Sequence, residues 1–309
     1  MGDGETKAQL VPSFRSSFAG QSDGLLTNEY AFAGSAWDGP GRTSSDWEVT
    51  SGSLFVRNGV GWTGVPDDAN DGRTPVGAAS TNVTNSAVFR ARSVRADFGN
   101  VDITLRVKVG YFLPSTPTTA AQDWDGVHLF LRYLSPFNLY YASVARRDGR
   151  VVIKRKISGI PPTEIGAVAP TAVAQTAVAP TANAAASPGQ ASTAGPGYYE
   201  GPAGNVSNHG AYYTLAQTPA GAHPWQAGLW RSVGASIITN PDGTTTIVVA
   251  LDGIECLRVT DDASRYASEW RGQHVGWDGT IGPITQPGRV GLRCDNVEVT
   301  FDDVVVRAM

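Results

Sequence analysis

Apolar and polar side chains alternate along much of this chain with a period of two. In residues 101–109, Val101, Ile103, Leu105, Val107 and Val109 share one face, and Asp102, Thr104, Arg106 and Lys108 share the other. Successive side chains of a strand point to opposite faces, so this segment predicts a strand with one buried and one wet side. Further β-prone runs fall at 127–133, 139–144, 151–157, 230–239, 244–251, 254–259, 288–294 and 297–306. Turn residues separate them. Asp148-Gly149, the run 240–243 and Asp252-Gly253 each predict a hairpin, because these residues accept the backbone angles that tight turns need. The runs 46–49 and 53–59 flank a glycine turn and predict another hairpin. No segment carries the periodicity of an amphipathic helix. Ten or more strands at this spacing predict an all-β fold, an antiparallel β-sandwich or jelly roll.

Two segments break the pattern. Residues 1–12 read as a polar N-terminal arm. Residues 160–210 are dominated by Ala, Pro, Thr and Gly and hold too few large apolar groups to pack a core. The strand pattern resumes after them, so they read as an insertion within a single sandwich spanning 13–309. Composition agrees: 36 glycines and 19 prolines with only 17% charged residues suit many strands joined by tight turns. A net charge of −4 argues against a general nucleic-acid binder. No apolar run approaches a membrane span, and the first residues lack the basic-then-apolar pattern of a secretory leader. Cys256 and Cys294 have no metal-ligand spacing and read as buried free thiols on strands, or alternatively as one bridge. The sequons at Asn82 and Asn205 are common by chance.

Several runs together resemble the concanavalin A-like lectin and glucanase superfamily in its laminin-G-like form. They are the opening run 14–24, the segment from Trp47 to Leu54, the run 125–133, the run 140–144, and the close of the chain from Gly288 through Asp295 to Val304. The likeness covers roughly 13–158 and 210–307. It resembles domains of actinobacterial proteins and of minor tail proteins of the phages that infect them. It implies a non-catalytic module that binds a bacterial surface glycan, works beside other virion or tail proteins, forms homo-oligomers, and resides in the virion or, alternatively, is secreted or held at the cell surface; a glycan-active hydrolase on the same fold and a purely architectural virion protein are the alternatives.

Glucanases of that superfamily carry a Glu-x-Asp-x-x-Glu strand. The carboxylates there flank a glycosidic bond. None of the eight glutamates of this chain stands in that pattern. The adjacent pair Asp302 and Asp303 is expected to point to opposite faces. No catalytic residue is therefore assigned. Glycan sites combine rings, which stack on sugar C–H faces, with hydrogen-bond donors. The candidates are Trp124, His128, Arg132, Tyr141 and Arg146, with Tyr133 and Tyr140 as further rings. His128 is expected to alternate with Phe130 and Arg132 on one strand face. Asp23, Asp302 and Asp303 are candidate oxygen donors for a structural Ca²⁺. The basic run Lys154, Arg155 and Lys156 reads as a solvated strand face, or as contacts for an anionic partner.

Overall fold

The computed structural model describes residues 12–28, 43–67, 84–86, 88–115, 120–135, 138–158, 198–199, 210–266 and 282–309. Nearly all of the N-terminal arm, the asparagines of both sequons and most of the insertion lie outside them. In chain order the strands are β1 (Pro12–Ser16), β2 (Gly24–Asn28), β3 (Trp47–Ser51), β4 (Ser53–Arg57), β5 (Val60–Trp62), β6 (Val65–Asp67), β7 (Thr84–Ser86), β8 (Val88–Ser93) and β9 (Val101–Phe112). There follow β10 (Gly126–Ser135), β11 (Asn138–Val144), β12 (Val152–Ser158), β13 (Tyr198–Tyr199) and β14 (Gly210–Gln217). The last are β15 (Trp230–Thr239), β16 (Thr245–Leu251), β17 (Ile254–Asp261), β18 (Arg289–Asp295) and β19 (Val297–Ala308). No helix occurs among the described residues.

Two antiparallel sheets form a sandwich. The nine-stranded sheet runs β17-β16-β15-β9-β19-β5-β4-β2, with β1 also on β19. The eight-stranded sheet runs β13-β14-β12-β11-β10-β18-β8-β3. A short parallel pair joins β6 and β7. The strands either side of the insertion, β12 and β14, pair directly with one another.

The alternation at 101–109 places its five apolar side chains in the core and its polar ones on the outer face. The inner faces of both sheets supply one continuous core, including Val107, Leu129, Tyr140, Val249, Leu292 and Phe301. The hairpins β11–β12, β15–β16 and β16–β17 form at the expected turns.

The hairpin expected across 46–59 does not form. β3 belongs to the eight-stranded sheet and β4 to the nine-stranded one. Gly52, at φ 75°, turns the chain from one sheet to the other. The hairpin lies one turn later, between β4 and β5 around Asn58-Gly59. Both lengths of chain are short and β-prone, and only the packing of two layers decides which turn folds back and which crosses over.

Bulges correct two assignments of side-chain direction. β19 shifts register between Asp302 and Val305, and Asp303 sits at φ 52°. Phe301 and Val304 both enter the core. The two residues between them therefore both turn outward, and both carboxylates approach Arg106, at 3.6 Å for Asp302 and 2.8 Å for Asp303. The pair does not divide between faces. In β10 the register shifts after Phe130, and Arg132 adopts φ 46°. Arg132 turns into the interior and Tyr133 takes its place beside Phe130 outside. An extra residue in one strand shifts the alternation by one from that point on, and period two alone does not show where this happens.

Candidate functional site

A second, smaller apolar cluster lies on the outer face of the eight-stranded sheet: Phe130, Tyr133, Leu139, Tyr141 and Tyr212. Edge-on and tilted ring contacts join them, with centroids 5.3 Å apart for Phe130–Tyr141 and 5.5 Å for Tyr141–Tyr212. Polar side chains border these rings because of strand register. Arg293 on β18, His128 on β10 and Ser143 on β11 stand directly opposite one another across three adjacent strands. Phe130, Tyr141 and Lys154 form the next row across β10, β11 and β12. His128, Tyr141, Ser143, Lys154, Tyr212 and Arg293 together line a small cleft.

Short contacts connect this lining. His128 Nδ1 lies 2.8 Å from Ser143 Oγ. His128 Nε2 lies 3.2 Å from Asp295 Oδ2, and Arg293 Nε donates to Asp295 Oδ1 at 2.8 Å. A proton on Nε2 facing the carboxylate leaves Nδ1 as acceptor for the serine hydroxyl in the neutral ring. Burial alone would raise the pKa of Asp295, but Arg293 and His128 outweigh it and hold the carboxyl well below the usual range. Arg293 Nη1 reaches the Tyr212 hydroxyl at 3.4 Å, and that hydroxyl lies 3.3 Å from the Tyr141 hydroxyl. The ammonium groups of Lys156 and Lys154 lie 4.5 and 5.8 Å from the centre of the Tyr212 ring. Cations over ring faces are attracted by the ring quadrupole, and more so where water is excluded.

Of the residues expected to bind a ligand, the structure brings His128 and Tyr141 together in this cleft. Tyr133 lies on the same face. Trp124 is half-buried in the turn ahead of β10, and Arg146 lies beyond the end of β11, where it grips Asp148 with two hydrogen bonds. Neither lines the cleft. Arg132 is fully buried and donates to Gly99 O, Asn100 Oδ1, Thr245 Oγ1 and Ile284 O, so it fastens the core rather than facing a ligand. Tyr140 is likewise internal and donates to Asp261. The basic run 154–156 is not a solvated face: all three side chains are buried. Arg155 goes inward against the rings of Tyr140 and Tyr266, and the two lysines go outward.

The candidate calcium donors do not converge. Asp23 accepts from the Asn58 amide, and Asp302 and Asp303 face Arg106. Among the described residues no three His, Cys, Asp or Glu side chains gather as a metal would require. Cys256 and Cys294 are not joined to each other.

Sequence reasoning does not find Ser143, Tyr212, Arg293 or Asp295 as binding residues, and it reaches Lys154 only as part of a basic run. The one signal it holds is the spacing of Arg293 and Asp295, which places both on one face of a strand.

No family model matches the chain, and no curated protein matches it in sequence. Solved structures are similar at low identity. A carbohydrate-binding module from Bacillus subtilis is 8% identical with TM-score 0.43, over 85% of this chain and 95% of that one. An alginate lyase is 8% identical with TM-score 0.41, over 97% and 98%. A β-glucanase from Bacillus licheniformis is 10% identical with TM-score 0.38, over 86% and 94%. Likeness at these scores carries no argument about ligand or chemistry, and the sandwich architecture stands on the strand order itself. No helix among the described residues is long and apolar enough to cross a membrane.

Proposed function

We propose that this chain is a non-catalytic glycan-binding module whose ligand seats on the outer face of the eight-stranded sheet. The observation that carries the reading is the convergence of two tyrosines, a serine, a histidine, a lysine and an arginine on one cleft of that face. Rings give a sugar its stacking surface and the polar groups fix its hydroxyls. Hydrolysis of a glycosidic bond by the usual route needs two carboxyl groups flanking the bond. Among the described residues the cleft's lining holds none, and Asp295 behind it is tied to Arg293 and faces His128. In its finer form the reading is of a minor tail protein. It meets a bacterial surface glycan, assembles with other tail proteins and forms homo-oligomers in the virion. The likeness of the sequence runs described above supports that finer form.

The test is a glycan array and binding to actinobacterial cell walls. Saturable binding to one glycan class, lost in a Tyr141→Ala, Tyr212→Ala double variant with unchanged circular dichroism, is the expected result. A folded protein that binds no glycan and no wall would turn the reading to a purely architectural particle protein.

One observation favours a second reading, a glycan-active hydrolase acting on ester substituents: Ser143 Oγ lies 2.8 Å from His128 Nδ1, and Asp295 Oδ2 lies 3.2 Å from the ring's Nε2. β11 lies between two paired strands, which commits much of its backbone to the ladder rather than to an oxyanion. Release of acetate from acetylated glycans, abolished in Ser143→Ala, would establish this reading over the first.

A further inference from the structure

β17 ends the nine-stranded sheet, and its eight residues make it the longest strand at any sheet edge. It pairs with β16 on one side. Among the described residues no backbone hydrogen bond reaches its other side. An open strand edge presents a row of unpaired N–H and C=O groups, a ready template for another chain.

Register shows which groups these are. Asn240 N donates to Thr244 O and Asp252 N to Ser232 O, so the even-numbered residues of β16 turn their backbone groups towards β15. Bonded and non-bonded pairs alternate in an antiparallel ladder, so the odd-numbered residues of β16 face β17. Their partners there are Leu257, Val259 and Asp261. The N–H and C=O groups of Arg258 and Thr260 therefore point to the open edge, and both residues are exposed. On the other side of Leu257 the ladder slips. Ala250 meets Glu255 and Val249 meets Leu257, which leaves Cys256 as a bulge. Bulges end regular pairing at sheet edges, so the stretch open to a partner is 257–261. Its inward side is apolar at Leu257 and Val259, which are partly buried against the core, and Ile254 at the head of the strand is 73% exposed.

We infer that β17 pairs with β17 of a second copy of this chain, antiparallel about a two-fold axis at Val259, to make a closed dimer with one continuous sheet. Geometry and charge choose this register. Centred on Val259, Arg258 stands opposite Thr260 of the other copy, and each outward N–H meets an outward C=O. Centred on Arg258, two guanidinium groups would stand face to face, which costs stability. Centred on Thr260, Arg258 would need residue 262, which lies beyond the strand. Val259 meets its own copy on the axis as a non-bonded pair, with Cα atoms about 4.5 Å apart. Arg258 keeps Glu255 as its ion partner, at 2.5 Å, so no charge is stranded. A strand of another protein would use the same hydrogen bonds. What favours a second copy is that one stretch supplies both halves of the pair. Each copy uses its open edge on the other, so the contact closes and no filament grows. The inference deepens the homo-oligomeric part of the proposed function and is separate from the glycan face, which lies on the other sheet.

The experiment is sedimentation velocity of the full chain over rising concentration, with cysteine cross-linking to test the register. The parent should pass from monomer to dimer. Thr260→Pro removes an outward N–H and leaves the bonds to β16 in place, because proline is tolerated at a sheet edge. It should stay monomeric, with the circular dichroism of the parent. In a Cys256→Ser background, Val259→Cys should give a disulfide-linked dimer under mild oxidation, since Cα atoms about 4.4–6.8 Å apart can be bridged. Leu257→Cys in the same background should not. A parent that stays monomeric up to about 1 mM overturns the inference and opens the edge to a strand of another protein. Glycan binding by that monomer would leave the glycan reading standing. A dimer that persists in Thr260→Pro, with no cross-link in Val259→Cys, overturns the edge and leaves the homo-oligomer. Should Thr260→Pro fail to fold, the contrast between the two cysteine variants decides.

Discussion

His128 Nε2 lies 3.2 Å from the Asp295 carboxylate, and both side chains are buried on the outer side of the eight-stranded sheet. Arg293 holds the other oxygen of that carboxylate. A buried ion pair is costly to form and more costly to break from one side, because the partner charge is left in place.

Replacing Asp295 with Asn should therefore lower stability by about 3 kcal/mol, read as a shift of the urea midpoint. The pH dependence has a definite sign. The folded carboxyl is held below its ordinary value, so the stability it contributes is complete above the unfolded value of about 3.9. That contribution drains away as pH falls below this value towards the lowered folded one. The parent should lose stability more steeply than Asp295→Asn below pH of about 4. Parallel acid profiles would count against the ion pair.

Arg132 is the second buried charge with a fixed task. Its guanidinium spans Gly99 O, Asn100 Oδ1, Thr245 Oγ1 and Ile284 O, and burial draws its pKa below the usual arginine value. Arg132→Met should cost about 2–4 kcal/mol, since buried acceptors on three separate chain segments lose their donor. The bulge around it is closely packed. A Cβ on Gly288 would stand 2.7 Å from the Arg132 carbonyl carbon. Gly288→Ala should accordingly destabilise the protein by several kcal/mol, and a melting temperature equal to the parent's would show that the two backbones do not meet there.

Tyr140 and Tyr266 both donate to Asp261, at 2.5 and 2.8 Å. Burial and the nearby acidic groups raise both phenols far above the ordinary tyrosine value. A raised phenol stabilises the fold fully below its unfolded pKa of about 10, and that stability is lost as pH rises beyond it. In an alkaline titration followed by phenolate absorbance, these two rings should stay silent until the chain unfolds. Tyr140→Phe should cost about 1–3 kcal/mol, because Asp261 and the Ile284 amide each lose a partner.

Burial raises the Cys294 thiol strongly and the half-buried Cys256 thiol less. A thiol reagent at neutral pH should modify Cys256 slowly and leave Cys294 untouched until denaturant is added. Equal rates for the two in the native protein would contradict the placement of Cys294 on the inner face of β18.

The alternation of apolar and polar residues in 101–109 determined that strand and its buried face. The Asp148-Gly149 and Asp252-Gly253 turns determined their hairpins. These signals are local: a strand's two faces and a tight turn's backbone angles are set by residues within a few positions of each other. Whether the glycine turn at Gly52 folds back or crosses to the other sheet was not local, and the sandwich reversed the simpler expectation. The direction of Arg132 and of Asp303 turned on one inserted residue in each strand, which only pairing with the neighbouring strands exposes.

The candidate site was legible in part. His128 and Tyr141 stood out as polar and aromatic residues within apolar runs. Lys154 was visible only as part of a charge run, and Tyr212 follows directly on the Ala- and Pro-rich segment. Ser143 and Arg293 join His128 because β10 lies between β11 and β18, an order that places residue 293 opposite residue 128. The sequence by itself determined that this protein is a sandwich of strands. Only the tertiary structure decided which residues share a face and which buried charges serve the core, because strand order and register arise from packing across the whole chain.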